Sequence, residues 1–114
     1  MADYMLLFWA PAHVLAEPRS PEEARRSGER WRAWEHALKE GGHSVTGAQL
    51  EAEGRRVIGS ERAVVDGAWG GDYVMGGYFV VSASSLAEAV EIAKGCPVLA
   101  NGGTVEVRRV MDHD

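Results

Sequence analysis

The chain has 114 residues, 46% hydrophobic and 25% charged, which excludes disorder as its dominant state and leaves room for one core. Its formal charge of −5 weighs against a general nucleic-acid binder, because such proteins carry a basic balance. The single cysteine, Cys96, excludes an intrachain disulfide and suits a reducing cytoplasm.

Tyr4-Met5-Leu6-Leu7-Phe8-Trp9 is apolar at every position and predicts a strand covered on both faces, central in its sheet. Asp3 before it and Pro11 after it disfavour a secretory signal, and the run is far shorter than the ~20 residues of a membrane helix. Ala12 to Arg19 reads as a loop. Ser20-Pro21-Glu22-Glu23 then starts a helix, with Ser20 as cap, Pro21 in the first turn and Glu23 completing a capping box. That helix runs to Gly41-Gly42. Ala24, Ser27, Trp31, Trp34 and Leu38 form its apolar stripe, and Arg25, Arg26, Arg30 and Arg32 with Glu29 and Glu35 form its solvated side.

His43 to Leu50 fits a second strand, and Arg55 to Gly59 with Glu61 to Asp66 fits a hairpin turning near Gly59-Ser60. Asp66-Gly67 opens a glycine-rich loop containing Gly70, Gly71, Gly76 and Gly77, and Tyr78 to Val81 is strongly β-prone. Ser85 to Glu88 is a second capping box, leading a short helix that stops at Lys94-Gly95. Thr104 to Val110 closes the chain as a strand, Val105 and Val107 alternating with Glu106 and Arg108. Residues 1–114 read as one domain.

This order predicts an α+β fold, the split βαβ pattern of a ferredoxin-like sandwich with helices on one sheet face. The other face would be too apolar to leave wet, so a homodimer meeting sheet to sheet is expected.

Several segments together resemble the YCII-related domain family and, within it, the branch named for a DGPF motif. They are Tyr4-Met5-Leu6-Leu7, the Trp31 and Trp34 pair, Ala63-Val64-Val65-Asp66-Gly67, Gly76-Gly77-Tyr78-Phe79, Leu86-Ala87-Glu88-Ala89, Cys96-Pro97 and Val105-Glu106-Val107-Arg108. The resemblance implies a dimeric α/β barrel with a cleft near the subunit interface. The motif itself is altered, standing here as Asp66-Gly67-Ala68-Trp69. The wider family includes enzymes with a histidine on the first helix and an aspartate before a proline after the second. Those positions correspond to Trp31 and Cys96 in this chain.

The candidate chemistry centres on Asp66, a carboxylate at a strand end beside glycines, which either acts as a base or caps its own turn. His13, after the first strand, is the best-placed isolated histidine for general base work. Trp31 and Trp34, with Tyr78 and Arg108 from neighbouring strands, are candidates to line a ligand cleft or, for the tryptophans, to pack the core. No ligand cluster predicts a metal, no glycine loop predicts a phosphate-bearing cofactor, and Cys96 reads as a small buried residue. Two functions follow. One is binding of a small organic molecule near the dimer interface, with acid–base catalysis by Asp66 and His13. The other is a non-catalytic regulatory or accessory role, for example in transcription regulation. Neither involves direct nucleic-acid contact or a membrane.

Overall fold

The computed structural model describes residues 1–17, 19–67 and 71–113. The fold is α+β, an open antiparallel sheet with three helices. Strand β1 (Ala2–Pro11) lies between β5 (Tyr73–Ala83) and β6 (Thr104–Arg109), and β2 (Val45–Gln49) adds to the outer edge of β5. The order β2-β5-β1-β6 interleaves two βαβ units. One is β1, α2 (Pro21–Glu40) and β2; the other is β5, α3 (Leu86–Ala93) and β6. Between β2 and β5 the chain makes a separate two-stranded ribbon of β3 (Arg55–Ile58) and β4 (Ala63–Asp66).

The serine half of each expected capping box forms, and Glu88 Oε1 accepts from the Ser84 amide at 2.8 Å, one residue before the cap. Ser20 Oγ accepts from the Glu23 amide and Ser85 Oγ from the Glu88 amide, each at 3.1 Å. The stripe of α2 is narrower than its spacing suggests: Ser27 and Leu38 are buried, Trp31 and Trp34 half-buried, and Ala24 is exposed. The segment after β1 is partly helical instead of a loop, forming α1 (Ala12–Ala16). Its start is pinned where the Ala12 amide donates to the Asp72 carbonyl at 2.8 Å. Strand β5 begins at Tyr73, well before Tyr78, so Gly76 and Gly77 lie within a strand and not in a loop. They form a bulge: Phe8 faces Gly77 while Trp9 faces Met75, which leaves Gly76 as the extra residue. Pro97–Asn101 is a 3-10 turn.

Alternation along β1 fixes the core. Tyr4, Leu6, Phe8 and Ala10 are buried beneath the helices with Val81, Ala83, Ala89 and Val98. Phe8 sits in an aromatic cluster, its ring centroid 4.9 Å from Trp31, 5.9 Å from Trp34 and 5.3 Å from Phe79. Trp34 stacks on Phe79 at 5.2 Å. Gly95 belongs to the same packing, since a Cβ there would lie 2.9 Å from Trp34 Nε1.

Phe8→Ala empties the middle of this cluster and is expected to cost about 3–5 kcal/mol of stability, Phe8→Leu distinctly less because more of the volume remains. Urea unfolding of the two variants checks the order, and equal losses would show that the rings are not packed as described.

Candidate functional site

The helix-free face of the sheet is built by the odd-numbered half of β1. Strand register sets Arg108, Met5, Val80 and Thr46 in one row across the four strands, and Glu106, Leu7, Tyr78 and Ala48 in the next. A third row holds Thr104, Trp9 and Met75. Met5, Leu7, Trp9, Met75, Tyr78 and Val80 are each half-buried, so the middle of this face is apolar. Its polar groups stand at the β6 side. Trp9 Nε1 donates to Glu106 Oε1 at 3.3 Å in an exposed hydrogen bond. The Arg108 guanidinium makes no ion pair or hydrogen bond among the described residues and is exposed. Arg108 and Tyr78 are one row and two strands apart, about 12 Å between backbones, the span of a small organic molecule.

The six residues singled out from sequence separate into four places. Tyr78 and Arg108 share the helix-free face. Trp31 and Trp34 lie on the opposite side of the sheet, in the ring cluster with Phe8 and Phe79. His13 is on α1 and exposed. Asp66 ends β4 on the ribbon, with its side chain 93% exposed and a carboxylate oxygen 3.4 Å from Arg55 Nε across the ladder. An ion pair so exposed contributes little to stability. The remainder of the altered motif, Ala68-Trp69, lies outside the described residues. Trp9 and Glu106 were missed from sequence. The alternation of β6 was visible, but their pairing depends on register between strands at opposite ends of the chain.

A surface cavity of about 390 Å³ lies elsewhere, between α1, the first half of α2 and the 3-10 turn. Arg19, Arg26 and Arg30 line it with Ser27, and Arg19 Nη1 donates to the buried Ser27 Oγ at 3.2 Å. Glu17 and Glu23 share the lining, so the groove selects no single sign of charge. Among the described residues, no three of His, Cys, Asp and Glu cluster as metal ligands, and no helix is long and apolar enough to cross a membrane.

The profile of the YCII-related domain matches residues 7–114, nearly the whole chain. The chain belongs to the YCII-related domain family. No curated protein matches it.

In this YCII-related chain, Cys96 stands just before the 3-10 turn at Pro97–Asn101. It is buried, and burial pushes its thiol up to about 11, against a weaker opposite pull from a hydrogen bond to the Val98 backbone. A thiol held protonated is a poor nucleophile. Since the folded value is raised above the ordinary 9.0, the unfolded chain loses its proton first as pH rises. The thiol's contribution to stability is therefore complete below pH 9 and lost between about 9 and 11, at about 1.4 kcal/mol per unit of difference. Urea titrations across that range should show the decline in the native protein and a flatter curve in Cys96→Ala. A thiol reagent that labels the native protein rapidly at pH 8 would contradict the burial.

Proposed function

We propose that this YCII-related protein is a homodimer that binds a small organic acid over the helix-free face of its sheet. One observation carries the reading: an apolar floor of Met5, Leu7, Tyr78 and Val80 bordered by the Arg108 guanidinium, which is exposed and has no partner among the described residues. Such a face combines the two properties of a small-molecule site, apolar area for affinity and a few polar groups for orientation. Arginine suits a carboxylate because its planar fork makes two parallel hydrogen bonds. A second subunit would close the face and remove it from water. The β2-β5-β1-β6 order supports a ferredoxin-like subunit of residues 1–114, and two such sheets facing each other would form the dimeric α/β barrel. Ala63 to Gly67 supports placement in the DGPF-motif branch, and a buried free thiol supports a cytoplasmic location.

Binding without turnover is the better-supported form of this function, compatible with a regulatory or accessory role. A general acid or base must reach within about 3.2 Å of the proton it transfers. Asp66 is instead solvated and paired with Arg55, and His13 is exposed on another element. Trp31 and Trp34 are assigned to packing, because the sheet stands between them and this face.

Two measurements test the proposal. Sedimentation at micromolar concentration should give a dimer, and Val80→Glu should dissociate it; a stable 12.4 kDa species from the native chain would overturn the assembly. NMR titration with acetate, benzoate and succinate should shift amides of β1, β5 and β6. Arg108→Gln should weaken that binding by about tenfold or more while altering stability by under about 0.5 kcal/mol. Undiminished binding in Arg108→Gln, or shifts confined to other elements, would overturn the site.

A further inference from the structure

The β3–β4 ribbon has chemistry that the reading above leaves unused. Its ladder pairs Arg55 with Asp66, Arg56 with Val65, Val57 with Val64 and Ile58 with Ala63. Alternation puts Arg55, Val57, Val64 and Asp66 on one side and Arg56, Ile58, Ala63 and Val65 on the other. Arg56 and Val65 on the second side are half-buried, and Arg56 Nε donates to the Gly67 carbonyl at 3.2 Å. The first side is open. Val57 is 69% exposed and Val64 63%, directly opposite each other, with the Arg55–Asp66 pair at their flank. Two valines at the most favourable cross-strand position are thus spent on solvent, on a two-stranded ribbon of a kind that is marginally stable alone.

The size of the molecule indicates what covers them. The chain exposes 7932 Å², whereas a compact 12.4 kDa monomer exposes about 6,100 Å². Its radius of gyration is 15.6 Å against about 13 Å for a compact chain of this length. The surplus surface, about 1,800 Å², exceeds the ~800 Å² that each partner buries in a standard interface. The sheet face cannot account for it alone, since four strands of these lengths at ~4.8 Å spacing offer only about 500 Å² in plan. The ribbon adds a further open surface, with Val57 and Val64 paired on it. Its open side is apolar with one cation and one anion, matching the composition of the helix-free face, which has an apolar centre bordered by Glu106 and Arg108.

We propose that the β3–β4 ribbon is an arm whose Val57–Val64 side packs against a second copy of this chain, extending the sheet-to-sheet interface. This rests on the homodimer proposed above. In a two-fold assembly each arm reaches the partner, so one substitution removes two contacts.

The experiment compares the full-length native protein with Val57→Asp/Val64→Asp by sedimentation, each at several concentrations. The double variant should raise the dimer dissociation constant by ~100-fold or more, as burial of unpaired carboxylates against apolar surface requires. Because the substitutions could also unfold the ribbon, a second measurement leaves it intact. A spin label on Ser60→Cys, at the exposed turn, is mixed with isotope-labelled native protein; buried Cys96 stays unlabelled. Broadening of amides in the unlabelled-spin protomer supports the arm. A native monomer overturns the dimer and the arm together. A native dimer whose dissociation constant the double variant leaves unchanged, or in which no broadening crosses between protomers, overturns the arm and leaves the dimer standing.

Discussion

Everything in this molecule depends on the register of β1 between β5 and β6. Side chains on a strand alternate with a period of two, so the pairing of Leu6 with Phe79 and Val107 sends Tyr4, Leu6, Phe8 and Ala10 under the helices. The same pairing sends Met5, Leu7 and Trp9 to the other side, beside Val80, Tyr78 and Glu106. A slip of one residue would exchange the two sets, and Asp3 would enter the core. Few strands are apolar on both faces, and this one uses each face differently: one closes the core, the other remains available.

The sequence made the first of these uses legible and the second only in part. Local signals were sufficient for β1, α2, α3 and the ribbon, because caps, periodicity and a turn at Gly59 with φ of 69° act over a few residues. They failed where distant pairing overrides local composition. Gly76 and Gly77 read as loop residues, yet the far end of β1 draws them into β5 and accommodates the surplus residue as a bulge. Ala12 to Ala16 became helical where a loop was expected, held by a hydrogen bond to Asp72 some sixty positions away. Tyr78 and Arg108 were recognisable individually as candidates. Their sharing of a face was not, since it follows from two separate ladders to β1. The tryptophans illustrate the converse, for spacing on α2 placed them on its buried side but could not say that the sheet would divide them from Tyr78.

The surplus surface connects fold and function. A chain of this size that buried every apolar group would have a smaller surface and a smaller radius of gyration. Leu15, Leu50, Leu86, Val90 and Leu99 are exposed singly, but two groups stand together: the half-buried apolar residues of the helix-free face, and Val57 with Val64 on the outer side of the ribbon. Scattered exposure is ordinary, whereas grouped exposure marks a surface that meets something. The weakly charged exterior of the ribbon, where Arg55 and Asp66 offset each other, suits contact with a surface of the same kind.

Closure of the helix-free face in the proposed dimer would also determine what Arg108 can do. In water its charge is screened, and a single exposed ion pair is worth little. Beneath a second subunit the same guanidinium would lose its hydration, a cost of several kcal/mol unless an anion takes the place of water. Assembly and ligand binding in the proposed dimer are therefore linked: the ligand's carboxylate offsets the desolvation that assembly imposes, and assembly strengthens the attraction the ligand feels. By reciprocity, whatever factor the ligand gains from the dimer, the dimer gains from the ligand. Asp66 and His13 bring no comparable leverage while they remain in solvent, where a carboxylate or imidazole has only its ordinary strength. In the proposed dimer the chemistry available on this face would follow from the two charges at its β6 border: Glu106, which holds Trp9, and Arg108, which is left to meet an anion.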